Sequence, residues 1–389
     1  MNQNLAFKII VILMLICSNF IFSQTQNAQK PIENKSDSKS SNKKSKTNNS
    51  SRNKKMDSNV KSDRDSTQNN NSKVQMNTTK QAKDTTVKEK SSKKLTTKSM
   101  NNKTDKLTIY QMMFHLWGNK NTTNKFNGSA EENGVTKFKD VNDLAIQKLK
   151  QFGYSHLYMT GLLEHATMED FSSIGIQKDH PDVVKGRCGS PYAVKDYYDV
   201  NPFFANNPVK RMDEFESMVG RVHKNGLKVI MDFVPNHVAR YYHSDMKPIT
   251  IKDFGEDDDK TKAFAPYNNF YYLPNTQFQI PEGVVSPVKA DAPYVEKPAK
   301  ASGNDVFSAK PTIDDWFETV KLNYGVDILH GRKTYFDHTP PTWIKMVGIL
   351  KYWASKGIDG FRCDMAEMVP VEFWKYATEE VRIDYPNVI

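Results

Sequence analysis

Cysteine is scarce: three residues in a chain of 389, at positions 17, 188 and 363. Cys17 lies inside an N-terminal apolar run, so only Cys188 and Cys363 are left for the body of the protein and no disulfide framework organises it. Long hydrophobic stretches are also few. The one that stands out is IIVILMLICSNFIF at residues 9–22, preceded by a lysine and followed by Ser23 and Gln24. It reads as a secretory signal peptide over 1–23, with a membrane anchor as the alternative, although the run is short for a spanning helix. Ile16 before Cys17 is too large for an ordinary lipoprotein cleavage site.

Residues 24–106 hold scarcely an apolar side chain, and such a stretch cannot bury enough surface to offset its ordering entropy. It reads as a disordered Lys/Ser/Asn-rich linker. It carries 21 basic against 8 acidic residues, about +13 on a chain whose total is +10. The excess positive charge therefore sits on the tail, and the rest of the chain is mildly acidic. No aromatic or glycine pattern accompanies the basic residues, so the high pI is not a nucleic-acid signature. A solvated tether to an envelope or surface polymer fits better, with the mature protein periplasmic, at the cell surface or extracellular.

From residue 107 onward the pattern alternates between strand and helix. LTIYQMMFHLWG (107–118) is apolar and β-rich and reads as a buried first strand. VNDLAIQKLKQFG follows as a helix with Val141, Leu144, Ala145 and Leu149 on one face and Gly153 as its stop. YSHLYMTGLLEHA reads as a second buried strand. RMDEFESMVGRVHKNG is a helix with a stripe of Met212, Phe215, Met218, Val219 and Val222, capped by Gly226. LKVIMDFVPNH is a third strand. Residues 238–341, rich in proline, aromatics and acids, read as a small domain inserted after that strand. TWIKMVGILKYWASKG resumes the helical period through Ile344, Val347, Leu350 and Trp353. GIDGFRCDMAE is a fourth strand, PVEFWKYATEEVRIDYP a helix with proline at both ends, and NVI the opening of a fifth strand. Buried strands separated by helices imply an α/β fold with a parallel sheet, either a β/α barrel or an open doubly wound sheet.

The chemistry-bearing residues cluster at two strand ends. In GFRCD, strand alternation puts Arg362 and Asp364 on one face and Phe361 and Cys363 on the other. Paired charges at a strand end suit either a structural ion pair or a reactive site. In DFVPNH, Asp232 shares an alternation class with Asn236, and His237 lies just past the end. Phe270, Tyr271, Tyr272, Trp316 and Trp343 are candidate sugar platforms, with core packing the blander alternative. DFGEDDDK (253–260) is either a calcium loop or a solvated acidic turn, and it lacks the ligand spacing of the former. His115, His156 and His165 show no metal spacing.

Together these stretches resemble the α-amylase family of glycoside hydrolases. In that family the third strand ends in an aspartate, three residues, then Asn-His, and the fourth carries Gly-Phe-Arg, one residue, then Asp. GSPYAVKDYYDVNP (189–202) resembles the family's loop after strand two. The resemblance implies a (β/α)8 TIM barrel of which strands 1 to 4 and the start of strand 5 are present: 107–237 the first part, 238–341 the insertion, 342–389 the continuation. It implies Asp364 as nucleophile, Arg362 holding it ionised, His237 and Tyr192 contacting the sugar, and Asp232 and Asn236 in support. It also implies a retaining mechanism on an α-glucan or maltooligosaccharide, with no cofactor required and calcium supported by no specific motif. The family's glutamate at strand five and its aspartate at strand seven would lie beyond Ile389, so this stretch alone is expected to be an inactive N-terminal portion. A secreted carbohydrate-binding or assembly protein without chemistry is the alternative. Oligomeric state is not legible.

Overall fold

A computed structural model describes residues 106–389. The expected signal peptide (1–23) and linker (24–106) lie outside the described residues except for Lys106. The frame is a four-stranded parallel sheet whose spatial order equals its chain order: β1 (Ile109–Met113), β2 (His156–Thr160), β5 (Lys228–Phe233) and β12 (Gly360–Cys363). Parallel neighbours need crossovers, and the helices supply them. α1 (Asp143–Gln151) joins β1 to β2, α2 (Arg211–Lys224) leads into β5, α3 (Pro341–Ser355) leads into β12, and α4 (Val371–Asp384) follows it.

Local chemistry explains these helices. Asn142 caps α1 by accepting a hydrogen bond from the Ala145 amide at 3.0 Å, satisfying one of the free N-terminal donors. α2 carries Asp213 and Glu214 in its first turn and Arg221, His223 and Lys224 in its last, matching the helix dipole at both ends. Phe215, Met218, Val219 and Val222 are buried as the stripe predicts, and so are Val347, Leu350 and Trp353 on α3. Trp353 meets Phe215 edge-on at 5.4 Å, and its indole donates to the Tyr197 carbonyl at 2.7 Å, which locks α2 and α3 into one core.

Several expectations change. The first strand stops at Met113, where the chain turns into a short helix at Phe114–Trp117. β1 lies at the sheet's edge, with Ile109 and Met113 exposed rather than buried. The second strand breaks at Gly161, whose φ of +79° suits glycine. The chain then doubles back as β3 (Leu163–His165), antiparallel to the buried β4 (Val194–Val200). On α1 Ile146 and the expected Leu149 face the core, and Leu144 is exposed. On α3 Ile344 is exposed. Both follow from the helical period: at about 100° per residue Leu144 lies about 140° from Leu149 and Ile344 about 180° from Trp353, so neither shares the buried stripe.

Residues 238–341 hold short antiparallel pairs rather than helices. β6 (His237–Ala239) opens this stretch and pairs with β9 (Thr319–Lys321). Between them β7 (Tyr272–Leu273) pairs with β8 (Ala299–Lys300), and β10 (Val326–Asp327) pairs with β11 (Lys333–Thr334) further on. Phe270, Tyr272, Val320 and Leu322 from this stretch join the same apolar core as the parallel sheet. Ile389 pairs on the free edge of β12, donating to the Asp359 carbonyl at 3.0 Å and accepting from the Phe361 amide at 2.8 Å. That staggered pattern is the parallel one.

Candidate functional site

The register aligns Arg362 of β12 directly with Asp232 of β5, so the two side chains leave adjacent strands at the same height. One guanidinium nitrogen, Nη1, donates to Asp232 Oδ1 at 3.1 Å and to Asp364 Oδ1 at 2.7 Å. From β2, the Tyr158 hydroxyl donates to Asp232 Oδ1 at 2.8 Å. A continuous polar chain therefore crosses three neighbouring strand ends. Asp364 sits just past β12, where its amide donates to the Phe233 carbonyl at 2.8 Å, and the next residue, Met365, has φ +47°. A left-handed non-glycine residue costs roughly 1 kcal/mol or more, and here it turns the chain sharply after the carboxylate.

Burial sets the electrostatics. It pushes Asp232 up to about 6, against the opposing hydrogen bond from Tyr158 and the charge of Arg362. Asp364 is also raised above the usual carboxylate range by burial, with Arg362 opposing the rise. The expectation that Arg362 keeps Asp364 ionised is thus only half of the balance: the cation works against a desolvation cost that exceeds it. The Arg362 guanidinium itself loses some proton affinity to burial, which the two carboxylates outweigh, so it stays charged.

Asp364, Tyr192 and His237 line one open cleft of about 340 Å³, with Ser190, Lys185, Trp316 and Glu318. Tyr192 is half-buried, and burial raises its phenol above the ordinary value. Gly189 holds the loop that carries it: φ is +72° and a Cβ there would lie 1.7 Å from the Ala166 carbonyl oxygen. His237 is only 3% exposed. One ring nitrogen lies 3.0 Å from Asn236 Nδ2. Burial, then the nearby Lys321 charge, lowers its pKa to about 3, so the imidazole is neutral near pH 7. Asn236 is fully buried and donates to the Gly303 carbonyl at 2.8 Å. All six predicted residues therefore gather around the two strand ends.

Trp316 separates from the other aromatic candidates. Its ring lies 5.2 Å from that of His237 on the cleft wall, whereas Phe270, Tyr271, Tyr272 and Trp343 are buried core. Glu318 and Lys185 pair at 3.1 Å in the same wall. Sequence reasoning missed both. The available signal was the alternation in ETVKLNYG, which marks a strand inside an otherwise irregular stretch.

Two acidic groups bear on cation binding. In DFGEDDDK the carboxylates build the turn: Asp258 accepts from the Asn269 and Phe270 amides at 2.7 and 2.9 Å, Asp253 pairs with His243 and Lys247, and Asp257 pairs with Lys252. Glu164, Asp196 and Asp199 converge within 4.8 Å. Two cations are already built into that cluster: Lys195 lies 3.6 Å from Glu164, and Arg211 lies 2.5 Å from Asp199. Cys188 and Cys363 are free thiols.

The family described as "Alpha amylase, catalytic domain" matches residues 123–388. Alpha-amylase 3 of Dictyoglomus thermophilum is 27% identical over 207 residues, 51% of this chain and 31% of that protein. The oligo-1,6-glucosidase of Parageobacillus thermoglucosidasius is 26% identical over 179 residues, 46% of this chain and 25% of that protein. An amino acid transporter heavy chain of Rattus norvegicus is 27% identical over 178 residues, 46% of this chain and 21% of that protein. Among solved structures, an alpha-amylase from Lactobacillus plantarum aligns at 21% identity and TM-score 0.41, covering 73% of this chain and 44% of that one. The chain spans about a fifth to a third of the length of these curated relatives. Family membership implies a TIM-barrel-like fold, to which the parallel sheet conforms. The chain belongs to the α-amylase family of glycoside hydrolases.

Proposed function

We propose that these residues form the nucleophile side of a retaining site for α-glucosidic linkages in an α-glucan or maltooligosaccharide. The observation that carries the reading is the Asp232–Arg362–Asp364 bridge at the mouth of the parallel sheet, opening into the cleft shared with Tyr192 and His237. Asp364 attacks the anomeric carbon. Arg362 aims the carboxylate and favours its charged form as a cationic sugar develops. Asp232 and Tyr158 hold Arg362, Asn236 steadies His237, and Tyr192 and Trp316 present apolar faces to the ring. His237 offers a neutral N–H to a sugar hydroxyl. Retention requires a protonated carboxyl roughly 5 to 5.5 Å from the nucleophile. We assign that role to a glutamate at the end of the strand that pairs beside β12. Residues 238–341 act as an insertion that builds one cleft wall, and the apolar run at 9–22 directs export.

Relatives named alpha-amylase, oligo-1,6-glucosidase and alpha-glucosidase support the chemistry. A transporter heavy chain among the relatives keeps a second reading alive, in which the cleft binds glycan or a partner without chemistry. In the protein that contains this chain, Asp364→Asn abolishes maltooligosaccharide turnover while leaving binding in the cleft. Unchanged turnover rejects the assignment, and absence of any wild-type turnover favours the second reading.

A further inference from the structure

Lys321 is a buried cation that the proposed chemistry does not use. Its side chain is 4% exposed, and burying an ammonium costs several kcal/mol unless each of its donors is met. Three oxygens from three different parts of the chain meet it. Asn236 Oδ1 comes from the end of β5, Asp305 Oδ1 approaches at 2.7 Å from the inserted stretch, and the Met368 carbonyl lies 3.3 Å away in the turn after Asp364. The oxygens are held in place from behind. Asn236 is fixed by its bond to Gly303, Asp305 sits at φ +63°, and the Lys321 backbone pairs with His237 across β6 and β9.

An amide oxygen, a carboxylate and a main-chain carbonyl form the kind of hard-oxygen set that a divalent cation such as calcium takes. Members of this family often hold calcium, yet the centre of this set is filled by the chain's own ammonium, so the residues do not fit a metal there. We propose that Lys321 is a positioning residue that stands in for a structural divalent cation. It clamps the inserted stretch to the His237 and Asp364 strand ends, so that the cleft assembles without calcium. The inference goes beyond the sugar-cleaving reading and does not depend on it.

The test uses the full chain and calcium alone as probe, followed by thermal melting and isothermal titration. Wild type is expected to melt at the same temperature in EDTA and in about 10 mM calcium. Lys321→Ala empties the cage, which opens onto the cavity of about 580 Å³ lined by Arg332, Glu367 and Met368. That variant should melt lower in EDTA and gain calcium binding with a Kd on the order of 1 mM, with a rise of about 2 °C at ten times that concentration. Lys321→Met fills the cage without charge and should melt lower with no calcium response. Should Lys321→Ala fail to fold in EDTA, recovery of folded protein on refolding with calcium supports the clamp, and failure in both buffers overturns it. A folded Lys321→Ala that ignores calcium also overturns it, as does a wild type that loses stability in EDTA. None of these readouts involves turnover, so they stand or fall apart from the assignment of Asp364.

Discussion

Replacing Arg362 with methionine keeps most of the side chain's length and deletes the charge that Asp232 and Asp364 share. An opposite charge at hydrogen-bond distance lowers a carboxylate by about 1 to 3 units. The Arg362 side chain is 42% exposed, and screening by solvent keeps its effect in the lower part of that range, about 1 to 2 units. Asp232, at about 6 in the native site, should then titrate at about 7 to 8 in the variant, and Asp364 should move further in the direction it already leans. A carboxyl raised by folding contributes its full stability below the unfolded value of 3.8 and loses it as pH rises through the folded value. In wild type that loss is complete above about pH 6. In Arg362→Met it continues to about pH 8 and reaches about 1 to 3 kcal/mol more. Urea unfolding at about pH 4.5 and pH 8 measures the gap, and carbon-13 NMR of the aspartate carboxyls follows the titration directly. The two proteins should be separated by more at the higher pH. A gap that does not change with pH, or an Asp232 signal titrating as in wild type, refutes the reasoning.

Two further outcomes follow from the same site. The His237 ring should show no titration in NMR between about pH 5 and 8, because burial and Lys321 hold it near 3; a midpoint near the ordinary value of about 6.5 means the ring is solvated and the site is looser than described. Gly189→Ala forces a Cβ against the Ala166 carbonyl and should cost at least ~2 kcal/mol in a melt and weaken maltooligosaccharide binding through Tyr192. Gly175→Ala, also left-handed but with nothing within 4 Å, should cost only about 1 kcal/mol, and equal losses would remove the steric argument.

Much of the site was legible because strand geometry is regular. Alternation alone puts Arg362 and Asp364 on one face, and the parallel register brings Asp232 beside them. The resemblance added Tyr192 and His237, which no periodicity would single out. Trp316 stood among the candidate platforms, but the Glu318–Lys185 pair beside it in the cleft wall and the buried Lys321 were not legible, because residues 238–341 fold through long-range polar contacts such as Lys321 to Asp305 and Asn236 that leave no repeat in the sequence. The sign of the Asp364 shift was also hidden. A sequence names the neighbouring cation but not the depth of burial, and here burial wins. The exposed Leu144 and Ile344 show the limit of reading a stripe from a few spacings: Ile146 and Trp343, two and one positions away, take the inner face instead.

The central claim is that Asp364 is a nucleophile aimed at an anomeric carbon. It can be tested on this chain itself with an activated α-glucosyl fluoride, whose leaving group departs with little need of a proton donor. Peptide mass mapping after incubation should find one glucosyl unit on the peptide that carries Asp364, and none in Asp364→Asn. An unlabelled chain that nevertheless binds the sugar in the cleft, or a label on Glu318 or another carboxyl, would contradict the account.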